Sequence, residues 1–411
     1  MTDSRAAPPE AAALRQLAPE ADVVLGSFDT ALLDGAGEIV VSPGISLREP
    51  FLREAARRGV PMVGDIELFA REVRAPVAAI TGTNGKSTVT TLVAAMAERA
   101  GRNALAGGNL GRPALDLLND PVPDLYVLEL SSFQLDTTSS LHTAAAVVLN
   151  VTPDHMDRYD TLEAYADSKA RIFANCDVAV INLDDPLVHK MRPPAGVVGF
   201  SLQRDPAADY FAVETGDDVA LMNRDTQIAQ MSELRMTGLH NAANALAAIA
   251  MADALGLERA ACVAALREFA GLPHRSQWVA EIDGVRYVDD SKGTNVGATL
   301  AAVAGMPGTL IVIAGGQGKG QDFAPLAPAF RGKVRHAVLL GQDAKQIATA
   351  LEGICTIEFA QDMPQAVQRC ARAARAGETV LLSPACASLD MFRDYAHRGD
   401  VFAAAVKELR S

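Results

Sequence analysis

Cysteine is scarce and scattered. The 411 residues contain five (Cys176, Cys262, Cys355, Cys370 and Cys386), an odd number with no C-x-x-C pair. That argues against a disulfide framework or a cysteine-built zinc site, and it fits reduced thiols in a cytoplasm. Long apolar runs are missing too. None approaches the roughly 20 residues that span a bilayer, so no membrane insertion is expected. The opening MTDSRAAPPEAAALRQ has no basic segment followed by an apolar one, as a secretory signal would. Positive charge is in deficit: 37 Lys and Arg against 50 Asp and Glu give 37 − 50 = −13. That balance argues against sequence-independent binding to DNA or to an anionic membrane surface. A local basic site for an anionic metabolite stays open. Apolar residues are abundant, at 49% of the chain, enough for several cores at roughly 150 residues per domain.

Short apolar runs alternate with Ala-rich helical stretches. The runs are EADVVLG, EIVVSPG, VAAIT, LYVLEL, AAAVVLN, VAVINL, TLIVIAGG, HAVLLG and TVLLSP. Continuous apolar strands separated by helices predict parallel sheets covered on both faces, an α/β class. Between Tyr210 and Met236 the pattern alternates polar and apolar, which predicts a small antiparallel excursion. Breaks near Gly64 and at GLPHR (Gly271 to Arg275) divide the chain into 1–64, 65–271 and 272–411.

The sharpest feature is TGTNGKST, Thr81 to Thr88, at the end of VAAIT. Val89, Leu92, Val93 and Met96 then recur on one face of a helix. Gly82 and Gly85 permit a tight backbone whose N–H groups meet phosphate oxygens, the helix start adds partial positive charge, and Lys86 reaches outer phosphates. Ser87 or Thr88 could offer a hydroxyl to Mg²⁺. The common pattern G-x-x-x-x-G-K-[ST] would need glycine where Ile80 stands, so the loop is a shortened one. ATP is the expected ligand.

LYVLEL carries Glu129 to a strand end, where open α/β sheets bind ligands. AAAVVLN leads into a loop with Asn150, Asp154, His155 and Asp157. Alone, His155 is as readily a loop residue as a ligand. In TLEAYADSKARIFAN, Thr161 is a good N-cap. Lys169 falls inside the stripe of Leu162, Tyr165, Ala166, Ile172 and Phe173. Such a lysine either snorkels outward, the commoner fate, or is buried with a lowered pKa. A neutral amine can take up CO₂ as a carbamate, an anion able to meet Mg²⁺.

Together, TGTNGKST, ELSSFQL, NVTPDHMDRY and the displaced lysine resemble the Mur ligases, ATP-dependent amide-forming enzymes of cell-wall precursor synthesis. GDIELF, GGNLG, HNAAN, GLPHR, DDSKGTN and LLSPACASLDMF are similar to the branch that joins D-glutamate to UDP-N-acetylmuramoyl-L-alanine. The resemblance runs in family order over nearly the whole chain. It implies three domains: a Rossmann-like N-terminal remnant for the uridine nucleotide, a central P-loop ATPase-like parallel sheet, and a C-terminal Rossmann-like domain that brings the amino acid. A cytoplasmic monomer is expected. The resemblance implies Lys86, His155 and a carbamylated Lys169 as catalytic groups. Gly82, Thr83, Asn84, Gly85, Lys86, Ser87 and Thr88 would hold the phosphates. Asn244, Arg275 and Asp290 would hold the rest of ATP. Two Mg²⁺ ions would be met by Ser87, Glu129, Ser131, His155 and Lys169. Asn109 would contact the muramoyl portion, and Thr294, Lys319, Ser388, Leu389 and Tyr395 the amino acid.

Two departures stand out. The family begins with a strand, a glycine-rich turn and a helix before the position matching Asp3, and this sequence lacks them. Asp3, Ser4 and Arg5 then match the loop that contacts uracil, while Ser42, Pro43 and Gly44 could offer N–H groups to the diphosphate. A start assigned too late explains this better than a shortened domain with weak nucleotide binding. Family members also often carry an acidic residue near Gln317. The alternatives are a truncated, inactive Mur-type ligase, a folylpolyglutamate synthetase-like ligase, and a nucleotide-binding ATPase that ligates nothing.

Overall fold

Alternate residues of single strands feed two different cores, which is why those strands are apolar throughout. Ala78 and Ile80 face one cluster, with Leu92, Val93 and Met96 of the helix Lys86–Arg99. Val77 and Ala79 face the other, with Phe69, Tyr165 and Phe173. Both faces of the central sheet are therefore helix-covered, as a parallel sheet requires. The computed structural model describes residues 1–191, 193–194, 196–216, 218–236 and 238–409.

The first 64 residues form two small parallel pairs, β1 (Thr2–Asp3) with β2 (Val24–Leu25) and β3 (Ile39–Val40) with β4 (Met62–Val63). The central sheet holds β5 (Val77–Thr81), β6 (Ala104–Gly108), β7 (Leu125–Glu129), β8 (Thr143–Val148), β9 (Cys176–Asn182), β10 (Gly196–Ser201), β11 (Tyr210–Thr215), β12 (Asp218–Asn223) and β13 (Thr226–Gln230). Its order is β13-β12-β11-β10-β9-β8-β5-β7-β6. From β6 to β11 all neighbours are parallel. The expected antiparallel excursion is β11 to β13, and it extends this same sheet.

The C-terminal sheet holds β14 (Gln277–Ile282), β15 (Val285–Asp289), β16 (Leu310–Gly315), β17 (Val334–Leu340), β18 (Thr356–Phe359) and β19 (Thr379–Leu382). The order is β14-β15-β19-β16-β17-β18, antiparallel only between β14 and β15. The chain leaves β5 toward β7 and β6 on one side and returns to β8 on the other. This is a topological switch point, so the ends of β5, β7 and β8 open onto a shared crevice. Among the described residues no helix is long and apolar enough to cross a membrane.

Candidate active site

The loop after β5 is clamped by the loop after β8. Asn150 Oδ1 accepts from the Asn84 N–H at 2.8 Å, and its Nδ2 donates to the Asn84 carbonyl at 3.0 Å. Gly85 has φ +86°, and a Cβ there would lie 2.4 Å from Asn244 Oδ1. Lys86 curls back, its Nζ donating to the carbonyls of Gly82 (3.0 Å) and Thr83 (2.8 Å). Burial lowers its pKa, while Glu129 works the other way.

Two cavities meet at this loop. The first, about 270 Å³, is lined by Asn84, Gly85, Thr88, Asn244, Arg275 and Asp290, among others. The second, about 280 Å³, takes in Thr83, Lys86, Ser87, Asn109, Glu129, Ser131, His155, Lys169 and Thr294. Arg275 and Lys292 border both. The Arg275 Nη2 donates to Ser87 Oγ at 2.9 Å, and burial lowers the guanidinium's pKa. Asp290 accepts from Ser383 Oγ at 2.9 Å, yet burial pushes its pKa up to about 7. Burial also brings Lys292 down to about 8, and its Nζ stands 3.7 Å from the Tyr395 ring centroid.

In the second cavity Glu129, 3% exposed, accepts from Asn109 Nδ2 at 2.7 Å through Oε1. Its Oε2 is buried with no hydrogen-bond partner among the described residues. Ser131 caps a short helix by accepting from the Gln134 N–H at 3.2 Å. His155 sits at φ +57°, edge-on to Phe133 at 4.8 Å. Burial lowers its pKa, so the ring carries a lone pair at neutral pH. Lys169 does not snorkel. It is 1% exposed, because Thr161 caps its helix at the Ala164 N–H and the turn after that helix packs Ile172 and Phe173 inward. Its Nζ donates to the Gly82 carbonyl at 2.9 Å and lies 4.4 Å from the Tyr165 ring centroid. Burial first, and Lys86 second, hold its pKa well below the ordinary lysine range.

No group of three or more His, Cys, Asp or Glu among the described residues could cage a metal. The donors present are the orphaned Glu129 oxygen, the Asp154 carboxylate, hydroxyls and a neutral imidazole. Such a set suits Mg²⁺, which keeps waters and shares its shell with substrate phosphates.

A third cavity, about 100 Å³, is lined by Ser42, Pro43, Asp136, Arg158 and Tyr159, and it shares Phe133 with the second. Gly44 is not in that lining, but its carbonyl accepts from Nη2 of Arg158, which is. Asp3, Ser4 and Arg5 line none of the three cavities, and Arg5 pairs with Asp3 at 2.7 Å. Lys319, Ser388, Leu389 and Tyr395 also lie outside these linings. Ser388 is buried, Leu389 is exposed, and the Lys319 charge still reaches His155, helping to lower its pKa. Sequence reasoning missed Lys292, Asn295 and His240, although each sits inside a motif already singled out. Burial takes His240 down to about 4.

Three family models match the chain: "Mur ligase MurD-like, N-terminal domain" over residues 1–64, "Mur ligase middle domain" over 80–252 and "Mur ligase, glutamate ligase domain" over 274–386. The UDP-N-acetylmuramoylalanine–D-glutamate ligase of Nitrosococcus oceani is 51% identical, covering 100% of this chain and 91% of its own length. The ligase of the same name from Methylococcus capsulatus is 50% identical over 99% of this chain and 89% of its own. Among solved structures, the pseudomurein peptide ligase type C from Methanothermus fervidus superposes with a TM-score of 0.68 at 16% identity, covering 99% of this chain and 94% of that one. The MurF ligase from Thermotoga maritima, in complex with ADP, gives 0.65 at 16% identity, covering 94% and 98%. At those identities the structures speak for the fold alone. With family models along most of its length and relatives about half identical from end to end, the chain belongs to the Mur ligase family.

Proposed function

We propose that this protein joins D-glutamate to UDP-N-acetylmuramoyl-L-alanine with ATP, forming an amide in peptidoglycan precursor synthesis. The carrying observation is the meeting of two cavities at one phosphate loop, with Asn84, Gly85 and Arg275 bordering both and Lys86 facing the second. The printed names of the full-length relatives supply the substrates.

In this reading Asn244 and Asp290 take the adenosine end of ATP. Gly82 to Thr88 take the phosphates, with Lys86 exchanging its backbone acceptors for phosphate oxygens. The L-alanyl carboxylate enters the second cavity past Asn109. Its oxygen bonds to the γ-phosphorus as the bond to the β–γ bridging oxygen breaks, releasing ADP. The amine of D-glutamate then adds to the acyl-phosphate carbonyl, loses a proton, and expels inorganic phosphate. Lys86 and Arg275 offset charge that gathers on the phosphoryl group. Ser87, Glu129 and Ser131 would hold one Mg²⁺, and His155 with a carbamylated Lys169 a second. When bound, the ions neutralise the repulsion between carboxylate and phosphate. Residues 272–411 close over the labile acyl phosphate and exclude water. Thr294, Lys319, Ser388, Leu389 and Tyr395 receive D-glutamate, whose two carboxylates call for donors. Residues 1–64 take the uridine nucleotide through Asp3, Ser4, Arg5 and the Ser42–Pro43–Gly44 turn, and 65–271 take ATP. The enzyme works as a cytoplasmic monomer.

The test is phosphate release from ATP and Mg²⁺ with the nucleotide and either glutamate enantiomer. Release that needs both the nucleotide and D-glutamate is expected. Release independent of the nucleotide, or confined to L-glutamate, would overturn the reading.

A further inference from the structure

Arg275 is flanked by two residues in the left-handed region, His274 at φ +61° and Ser276 at φ +48°. Neither is glycine, so the surroundings must over-determine both. They do so with two consecutive carboxylates at the end of β15. Asp289 Oδ2 meets His274 Nδ1 at 2.7 Å, and Asp290 Oδ1 accepts from the Ser276 N–H at 3.1 Å. The His274 carbonyl also accepts from the Lys292 N–H at 3.0 Å, and its N–H donates to Gln277 Oε1 at 3.0 Å. With both neighbours pinned on the β15 side, Arg275 projects the other way, onto Ser87 of the phosphate loop. His274 itself lines neither of the two cavities that meet at that loop.

The wall behind His274 is Gly399, in the helix Tyr395–Glu408. A Cβ there would lie 2.2 Å from His274 Nδ1 and 2.6 Å from Asp289 Oδ2. The helix cannot back away. The neighbouring Arg398, 2% exposed, donates to Ser291 Oγ at 2.9 Å, the Ser291 carbonyl at 2.7 Å and the Cys386 carbonyl at 3.1 Å.

We propose that His274, locked between Asp289 and Gly399, is a positioning residue that aims Arg275 at the phosphates of ATP. This rests on the reading that Arg275 meets those phosphates. His274 touches no substrate, and its effect passes through Arg275.

The test is a double-mutant cycle on the full chain, read as ATP affinity in the presence of Mg²⁺ and as kcat for ligation. Loss of a charge-assisted contact predicts that His274→Ala weakens ATP binding about tenfold, and Arg275→Ala at least as much. Removing both should cost no more than removing Arg275 alone, since a residue acting only through another has nothing further to lose. His274→Gln, whose amide can donate to Asp289, should recover part of the affinity. Gly399→Ala should reproduce the loss with His274 still present, and it carries the test if His274→Ala does not fold. Effects that multiply in the double variant would overturn the proposal, as would unchanged affinity and kcat in His274→Ala or Gly399→Ala. Wild-type protein that binds ATP but forms no amide would overturn the ligase reading, while the affinity cycle would still decide this one.

Discussion

At Lys169 an amine that would ordinarily be charged sits in a wall with one backbone acceptor, Gly82, and the face of Tyr165. Burial makes the neutral form accessible, and the neutral form is what reacts with CO₂. Lys169→Ala should therefore lower kcat about 100-fold or more, as loss of a metal-supporting group does. Added formate or acetate should restore part of it, measured as phosphate release, and full activity without either would reduce the lysine to packing. Asp290 is the other residue whose setting fixes a sign. Its pKa is raised from 3.8 to about 7 by burial. Between those values the folded chain keeps a proton that the unfolded chain has lost. This site's contribution to stability is thus full below about 4 and is lost as pH rises through 7. Asp290→Asn cannot ionise, so the variant's Tm minus the wild-type Tm should grow from pH 5 to pH 8. A difference independent of pH would show that Asp290 ionises as it would in water.

Among elements, the phosphate loop sets the tightest limits. Gly85 combines φ +86° with contact to Asn244, which reaches the loop from the long helix Leu239–Ala254. Gly85→Ala meets backbone strain of about 1–2 kcal/mol and a clash with the Asn244 side chain, which lines the first cavity. ATP affinity should fall by about tenfold or more for strain of that size, and a titration that finds it unchanged would show that the loop relaxes. This element was legible because VAAIT is buried on both faces and glycine punctuates the turn into the helix. The same logic read β7, β8 and β9 from LYVLEL, AAAVVLN and VAVINL. It failed for β6, Ala104–Gly108, since alanine and glycine carry almost no strand signal. The β14–β15 hairpin was also passed over, although Asp283 and Gly284 form a turn pair between its strands. The site was legible as exceptions to pattern: Glu129 ending an apolar strand and Lys169 inside an apolar stripe. That Asn295 would close on the loop from far along the chain was not, and Arg275 was expected at the ATP site only through the family resemblance, because such contacts come from packing between elements and leave no local period.

At the scale of the whole molecule, the C-terminal region touches the central one through Asn295. Its Nδ2 donates to Asp154 Oδ2 at 3.2 Å, beside His155, and also meets Asn84 Oδ1 of the phosphate loop at 3.3 Å. Its Oδ1 meanwhile caps the helix Val296–Gly305 at the Ala298 N–H, 2.8 Å away. That oxygen also accepts from Asn84 Nδ2 at 3.4 Å, so one amide holds a helix start and joins the two regions through both of its polar atoms. Asn295→Asp keeps the oxygen contacts and removes the donor. Aspartate caps a helix as well as asparagine does, so the Tm should stay within a few degrees, equivalent to under about 1 kcal/mol. The carboxylate, however, can no longer donate to Asp154 and instead repels it across a part-buried contact that reaches solvent when the regions part. Closure should become harder, with kcat for amide formation falling about tenfold for a lost charge-assisted bond. If closure protects the acyl phosphate, phosphate release should exceed amide formed in this variant while the two stay equal in wild type. Equal amounts in both would mean that the Asn295 contact does not exclude water, and that closure depends on the Arg275–Ser87 contact or others.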